Sequence, residues 1–364
     1  MTLVHYHFQS FQMSAIPNIK GRGAQHNSTN RFLSNTIIYD NEFAFGEEDN
    51  FRNSKTKFLI ENAKKIVNAI KSPDLPNGFS VNPYQGCEHG CIYCYARNTH
   101  EYYGYSAGLE FEQNIIIKKN APELLEKEFN KKSWQAAPIM LSGNTDCYQP
   151  AERKFRITRK LLEVCLKYRN PVSIITKNAL ILRDKDILVQ LAELKLIHVI
   201  VSLTSLNEDL RRLLEPRTAS GKRRLTVINQ LAELGIPVGV NTAPIIPGLN
   251  DHEIPELIKQ SALNGACWAG YTVVRLNGSV GEIFSEWIHK SIPNKAEKVL
   301  NQIKEMHGGS INDSDFGRRM VGEGIMAEHI KQLHKLSKIK YMTGRSFPRY
   351  NYDAFMRGGQ LGLF

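Results

Sequence analysis

The stretch "VNPYQGCEHGCIYCYAR", residues 81–97, places Cys87, Cys91 and Cys94 at a C-x3-C-x2-C spacing. The chain has only six cysteines in 364 residues, and half of them stand here. Thiols this close in sequence do not make a disulfide framework; in an intracellular chain such a cluster holds metal or does redox chemistry. Two readings compete. A structural zinc site needs four closed ligands, and His89 can complete a Cys3His set. An iron–sulfur cube ordinarily takes four cysteines, so three would leave one iron open to a further ligand.

Working outward, short β-rich runs alternate with helical patterns. The strand candidates are 79–84, 138–143, 172–177, 198–204, 237–243 and 271–276. Near-continuous Val and Ile runs predict strands covered on both faces. Between them, Ile187, Leu188, Leu191 and Leu194 share one helical face, with Asp184 or Asp186 as its cap. Leu225, Ile228, Leu231 and Leu234 share another, stopped by Gly235 and Pro237. Six βα units predict a parallel sheet, because parallel strands need crossovers. They are too few for a full eight-unit barrel. The fold expected is α/β, a partial (β/α)6 TIM-type barrel. The cysteine triplet then follows its first strand, on the face where such folds bind ligands.

The divisions expected are an N-terminal extension (1–75), the barrel core (76–285) and a C-terminal extension (286–364). Hydrophobic residues make up 42% of the chain, enough for a sizeable core. No apolar run reaches the ~20 residues of a membrane span, and no secretory signal is visible. The expectation is a soluble, cytoplasmic protein with no membrane partner. The net charge of +11 favours anionic partners. From Lys331 onward seven Lys/Arg stand against Asp353 alone, with Tyr341, Phe347, Tyr350, Tyr352 and Phe355 interleaved. Such a tail either tracks nucleic acid or packs on the barrel with its charges in solvent.

A C-x3-C-x2-C triplet with an aromatic before its last cysteine, after the first strand of a six-unit barrel, resembles the radical S-adenosylmethionine (SAM) superfamily. "NPYQGCEHGCIYCYAR", "GNTDCYQPAE", "ITKNALILRD", "VSLTSLNEDLRRLLEPRTAS" and "APIIPGLND" resemble its spore-photoproduct-lyase-like, or "DNA repair photolyase", branch. "IKGRGAQHNSTNRF", residues 19–32, is similar to an uncharacterised subgroup of it. The resemblance implies a radical SAM enzyme. Cys87, Cys91 and Cys94 would ligate a 4Fe–4S cluster whose fourth iron is chelated by SAM. One electron, from a donor such as flavodoxin or ferredoxin, would give a 5′-deoxyadenosyl radical. Nucleic acid becomes a candidate substrate, while a zinc- or cluster-stabilised nucleic-acid-binding module is the alternative.

The same resemblance supplies candidate contacts. Tyr93 would shield the cluster. Gly143, Asn144, Thr145 and Asp146 would meet the amino group of SAM. Lys177, Ser202 and Arg217 would meet its ribose and carboxylate, and Arg275 would face substrate. Photoproduct lyases use a cysteine as hydrogen donor, and Cys147 is the candidate here, in a loop read as polar and on the active face. Tyr148 and Tyr95 are the next candidates. Cys165 shares a face with Leu161, Leu162 and Tyr168 and reads as core.

Overall fold

The computed structural model describes residues 19, 21–30, 56–75 and 78–358. The first residues, 31–55 of the expected extension, and the last six of the tail lie outside the described residues. The strands are β1 (Lys57–Glu61), β2 (Val67–Ala69), β3 (Phe79–Val81), β4 (Tyr84–Gln85), β5 (Asn114–Lys118), β6 (Ile139–Leu141), β7 (Val172–Thr176), β8 (Ile197–Ser202), β9 (Val238–Asn241) and β10 (Trp268–Gly270).

The larger sheet runs β10-β9-β8-β7-β6-β3-β2. Its six strands from β3 to β10 are all parallel and lie in chain order, as successive βα units require. This is the expected partial barrel arrangement. β2 pairs antiparallel with β3 and covers that edge. The "NIIIK" run of β5 was not among the strands read from the sequence. It lies between β1 and β4 in a separate three-stranded sheet. β4, which leads into the cysteine loop, pairs with β5, so this small sheet holds the start of the loop.

The sixth parallel strand starts three residues before the expected "YTVVRL" run. The β10 ladder pairs Trp268–Gly270 with Gly239–Asn241 and ends there. The Val run continues as extended chain, bridged to Ile245 through Val273. Helix Lys185–Glu193 buries Ile187, Leu188 and Leu191 as its spacing predicts. Asp184 stands at its N-cap without capping it. Its carboxylate instead takes Arg159 at 3.0 Å, Arg183 at 2.7 Å and the Tyr148 hydroxyl at 3.1 Å. Helix Gly221–Glu233 buries Val227, Ile228 and Leu231, and Gly235 follows at φ +73°, the left-handed stop. Cys165 is wholly buried, as expected. No described helix is long and apolar enough to cross a membrane.

The basic tail packs under the sheet. Helix Gly324–Met342 lies on helix Ile254–Leu263. Beyond it, His198 is stacked between Phe347 (4.3 Å) and Tyr350 (3.9 Å), and Phe355 meets Phe129. Arg345 donates to the carbonyls of Ala262 and Ala266, and Arg357 to those of Phe129, Lys131 and Trp134. These carbonyls lie at or just beyond helix C-termini, where a guanidinium is favoured. Phe347, Tyr350 and Phe355 therefore serve as packing, while Tyr352 is exposed. Phe347→Ala is expected to cost about 1–2 kcal/mol in denaturant unfolding, less than the ~3–5 of a fully buried phenylalanine. Ile339→Ser, at an exposed site on the last helix, is expected within about 0.5 kcal/mol of the parent.

Candidate active site

The chain from Cys87 to Cys94 belongs to no helix or strand. Its backbone is pinned from three sides. The Cys87 N–H donates to Phe111 O at 2.9 Å and the Ile92 N–H to Leu214 O at 3.0 Å. Gln149 accepts from the Glu88 N–H and donates to Gly86 O. The loop follows β3 and β4, past the carboxyl end of the first parallel strand. Arg97, wholly buried, donates to Cys91 O at 3.0 Å and pairs with the wholly buried Glu112 at 2.6 Å.

All three thiols are free, with Cys87 and Cys91 buried and Cys94 half-buried. Burial pushes Cys87 up, and Asp146 and the neighbouring thiols add to it. Cys91 is raised in the same way, by burial and then by Glu215. Among the described residues, no three His, Cys, Asp or Glu side chains converge as a single ion needs. His89, the fourth ligand of the zinc reading, has both ring nitrogens engaged. Nδ1 faces Asp146 at 3.4 Å and Nε2 lies 3.1 Å from the Asn178 amide.

A buried carboxylate, not singled out in the sequence, organises the region behind the loop. Glu215 accepts from Tyr93 Oη, from Thr204 Oγ1 at 2.6 Å and from the buried Arg224. Burial alone would raise its pKa. Arg224, Lys177 and the Thr204 and Tyr93 hydroxyls outweigh it and hold the group down to about 2. Tyr93 is thus anchored through its hydroxyl, with Lys177 Nζ 5.9 Å from its ring centre. Burial opposes the charge of Lys177, but Cys91 and Glu215 outweigh it and keep its pKa above the usual value. Nothing in a lone Glu signals that four other side chains will close on it.

The other expected contacts divide into two groups. Thr145 Oγ1 donates to Tyr84 O, and Asn144 Nδ2 to Gln85 and Thr99. Asp146 accepts from Thr176 Oγ1 and the N–H groups of Tyr148 and Lys177. These side chains tie the loop after β6 to β7 and to the cysteine region. Gly143 offers its carbonyl, which accepts from Tyr95 Oη at 2.7 Å. Ser202 is buried, and its carbonyl takes Arg224. Arg217 is exposed, but its N–H donates to His89 O at 3.2 Å, so it sits on the cysteine loop. Arg275 lies over the Tyr95 ring at 5.1 Å, and Tyr95 is 43% exposed. Cys147 differs from its expected setting in a polar loop. It is wholly buried among the core side chains, its N–H on Ser142 Oγ and its carbonyl on Thr158.

The comparisons agree with this geometry. The Radical SAM superfamily model matches residues 81–260. An uncharacterised protein of Mycobacterium tuberculosis is 32% identical over 245 residues, 67% of this chain and 70% of that protein. One of Methanocaldococcus jannaschii is 32% identical over 201 residues, covering 55% of this chain and 72% of its own. Among solved structures, a spore photoproduct lyase variant with bound AdoMet and dinucleoside spore photoproduct superposes with a TM-score of 0.61. It is 16% identical and covers 86% of each chain, a likeness of fold. With six parallel strands in chain order and three free thiols past the end of the first, the chain belongs to the radical SAM superfamily.

Proposed function

We propose that this protein is a radical SAM enzyme in which Cys87, Cys91 and Cys94 each hold one iron of a 4Fe–4S cluster. The observation that carries the reading is the set of three free thiols on one pinned loop, with His89 engaged elsewhere. That donor set fits a group that needs one thiolate per iron and an open fourth position. It fits closed zinc less well, because His89 Nε2 contacts the Asn178 amide, Nδ1 faces Asp146, and no three His, Cys, Asp or Glu side chains converge among the described residues. Bound together, the cluster and SAM would supply a 5′-deoxyadenosyl radical for hydrogen abstraction, given one electron from a flavodoxin- or ferredoxin-type donor.

The chain's own residues then take definite parts. Lys177 would offset the charge of the cluster's thiolates and would pair with the carboxylate of SAM. Tyr93, fixed by Glu215, walls the site from water. The backbone at Gly143 and Asn144 would receive the amino group of SAM, while Asp146 and Thr145 hold that segment in place. Ser202 lines the ribose side, and Arg217 presents a cation at the rim. Nucleic acid is the substrate class we propose, with the Tyr95–Arg275 pair giving an aromatic face and a guanidinium at the open side.

Anaerobically prepared protein is expected to hold a brown, oxygen-labile cluster, lost on replacing Cys87, Cys91 or Cys94 by Ala. Added SAM is expected to change the electron paramagnetic resonance spectrum of the reduced cluster, and dithionite to release 5′-deoxyadenosine. Stoichiometric zinc without sulfide would contradict the reading. Arg275→Ala is expected to weaken single-stranded oligonucleotide binding several-fold at unchanged iron content; equal affinity removes that pair from the substrate site.

Cys147 is proposed as hydrogen donor on the resemblance alone, and its thiol must be reached inside the core. Cys147→Ala is expected to keep the cluster and SAM cleavage, at a stability cost of about 1 kcal/mol. A stalled or misdirected product assigns the donor role. Normal product at a normal rate leaves Cys147 as packing and turns the test to Tyr95→Phe.

A further inference from the structure

The described part of the N-terminal arm is built into the cysteine loop. The N–H groups of Gly23 and Ala24 both donate to the Glu112 carboxylate, at 3.2 and 2.8 Å. Arg22 donates to Glu112 O at 2.9 Å. The same carboxylate pairs with Arg97, whose Nε holds Cys91 O. One buried ion pair therefore has the arm on one side and a cysteine backbone on the other. Ala24 is wholly buried in the apolar cluster that contains Cys91, Ile92 and Tyr93.

The contact with the loop is backbone against backbone. A Cβ placed on Gly23 would stand 1.8 Å from Gly90 O, one residue before Cys91. Gly23 does not have a positive φ, so glycine is required there by this close approach and not by a turn. A few residues on, a Cβ at Gly108 would stand 2.1 Å from His26 O. His26 O also accepts from the Leu109 N–H at 3.1 Å. The arm is thus fitted at two points where no side chain can intervene.

We infer that residues 22–24 are a working part of the cluster site. They are a strap, clamped by Glu112 and Arg97, that fixes the backbone between two of the thiols and keeps water from the outer side of the loop. Glu112 is in this sense a positioning residue. The inference rests on the reading that the three cysteines hold a 4Fe–4S cluster. Its physical consequence is on the potential. Reduction makes the thiolate-bound cluster more negative, and water stabilises the greater charge, so a loosened strap raises the midpoint potential.

The test uses the full chain, reconstituted anaerobically, with Gly23→Ala as the principal variant. The added methyl must displace the arm from Gly90 while leaving every cysteine, Arg97 and Glu112 in the sequence. The expected result is a cluster with an upward-shifted midpoint potential that bleaches in air several-fold faster than the parent. Gly108→Ala, which pushes the arm off from the other side, and Glu112→Gln, which keeps the shape but not the charge, are expected to shift both readouts the same way. Phe347→Ala, destabilised far from the loop, is expected to keep the parental potential. If Gly23→Ala and Gly108→Ala both keep the parental potential and bleaching rate, the strap has no role at the cluster. If both lose the cluster while Phe347→Ala keeps it, the arm is needed to hold the group at all, and the inference stands. A parent chain that binds no iron and sulfide overturns the cluster reading itself, and with it this inference.

Discussion

A loop that carries three thiols without belonging to a helix or strand has no hydrogen-bond ladder to hold its shape. Here that shape is imposed by two buried carboxylates. Glu112, with Arg97, grips the loop at Cys91 O. Glu215, with Arg224, grips it through the Tyr93 hydroxyl. A buried carboxylate is costly unless paired and fully hydrogen-bonded, and breaking such a pair typically costs about 3–5 kcal/mol. Both are satisfied, Glu112 by one guanidinium and two amides, Glu215 by one guanidinium and the hydroxyls of Tyr93, Thr204 and Thr218. The loop is therefore held by polar contacts that apolar packing alone could not supply.

The parallel sheet gives these grips somewhere to stand. Because β3 and β6–β10 all run the same way, their carboxyl ends meet on one edge. Thr176 and Lys177 at the end of β7, and Ser202 at the end of β8, are delivered there without any loop having to reach. Asp146 links that edge laterally. It accepts from residues at the end of β7 and faces His89 in the cysteine loop. Burial holds the His89 pKa below its usual value against the opposing pull of Asp146. A ring that faces Asp146 on one side and contacts the Asn178 amide on the other serves as a spacer between loops.

Much of this was legible in the sequence, and the missing parts share a cause. The triplet, the six βα units and the helical faces around Leu188 and Ile228 depend on local spacing, which a sequence carries openly. Glu112, Arg97, Glu215 and Arg224 do not. Each reads as an ordinary charged residue until its partner arrives, and Arg97 and Glu112 lie in segments with no apolar rhythm. The "NIIIK" strand was passed over because it follows a helix of only Leu109–Gln113 and pairs outside the barrel. The tail was ambiguous because its aromatic residues suit stacking on bases and stacking on His198 equally well. Cys147 looked polar from its neighbours, but its N–H bonds back to Ser142 Oγ and its side chain lies in the core.

The most direct measurement of the central claim is Mössbauer spectroscopy of protein loaded with iron-57, recorded with and without SAM. Three protein thiolates predict that one iron site of the cluster differs from the rest, and that SAM changes the signal of that site alone. Four equivalent irons indifferent to SAM, or no cluster signal in protein carrying zinc, would contradict the account.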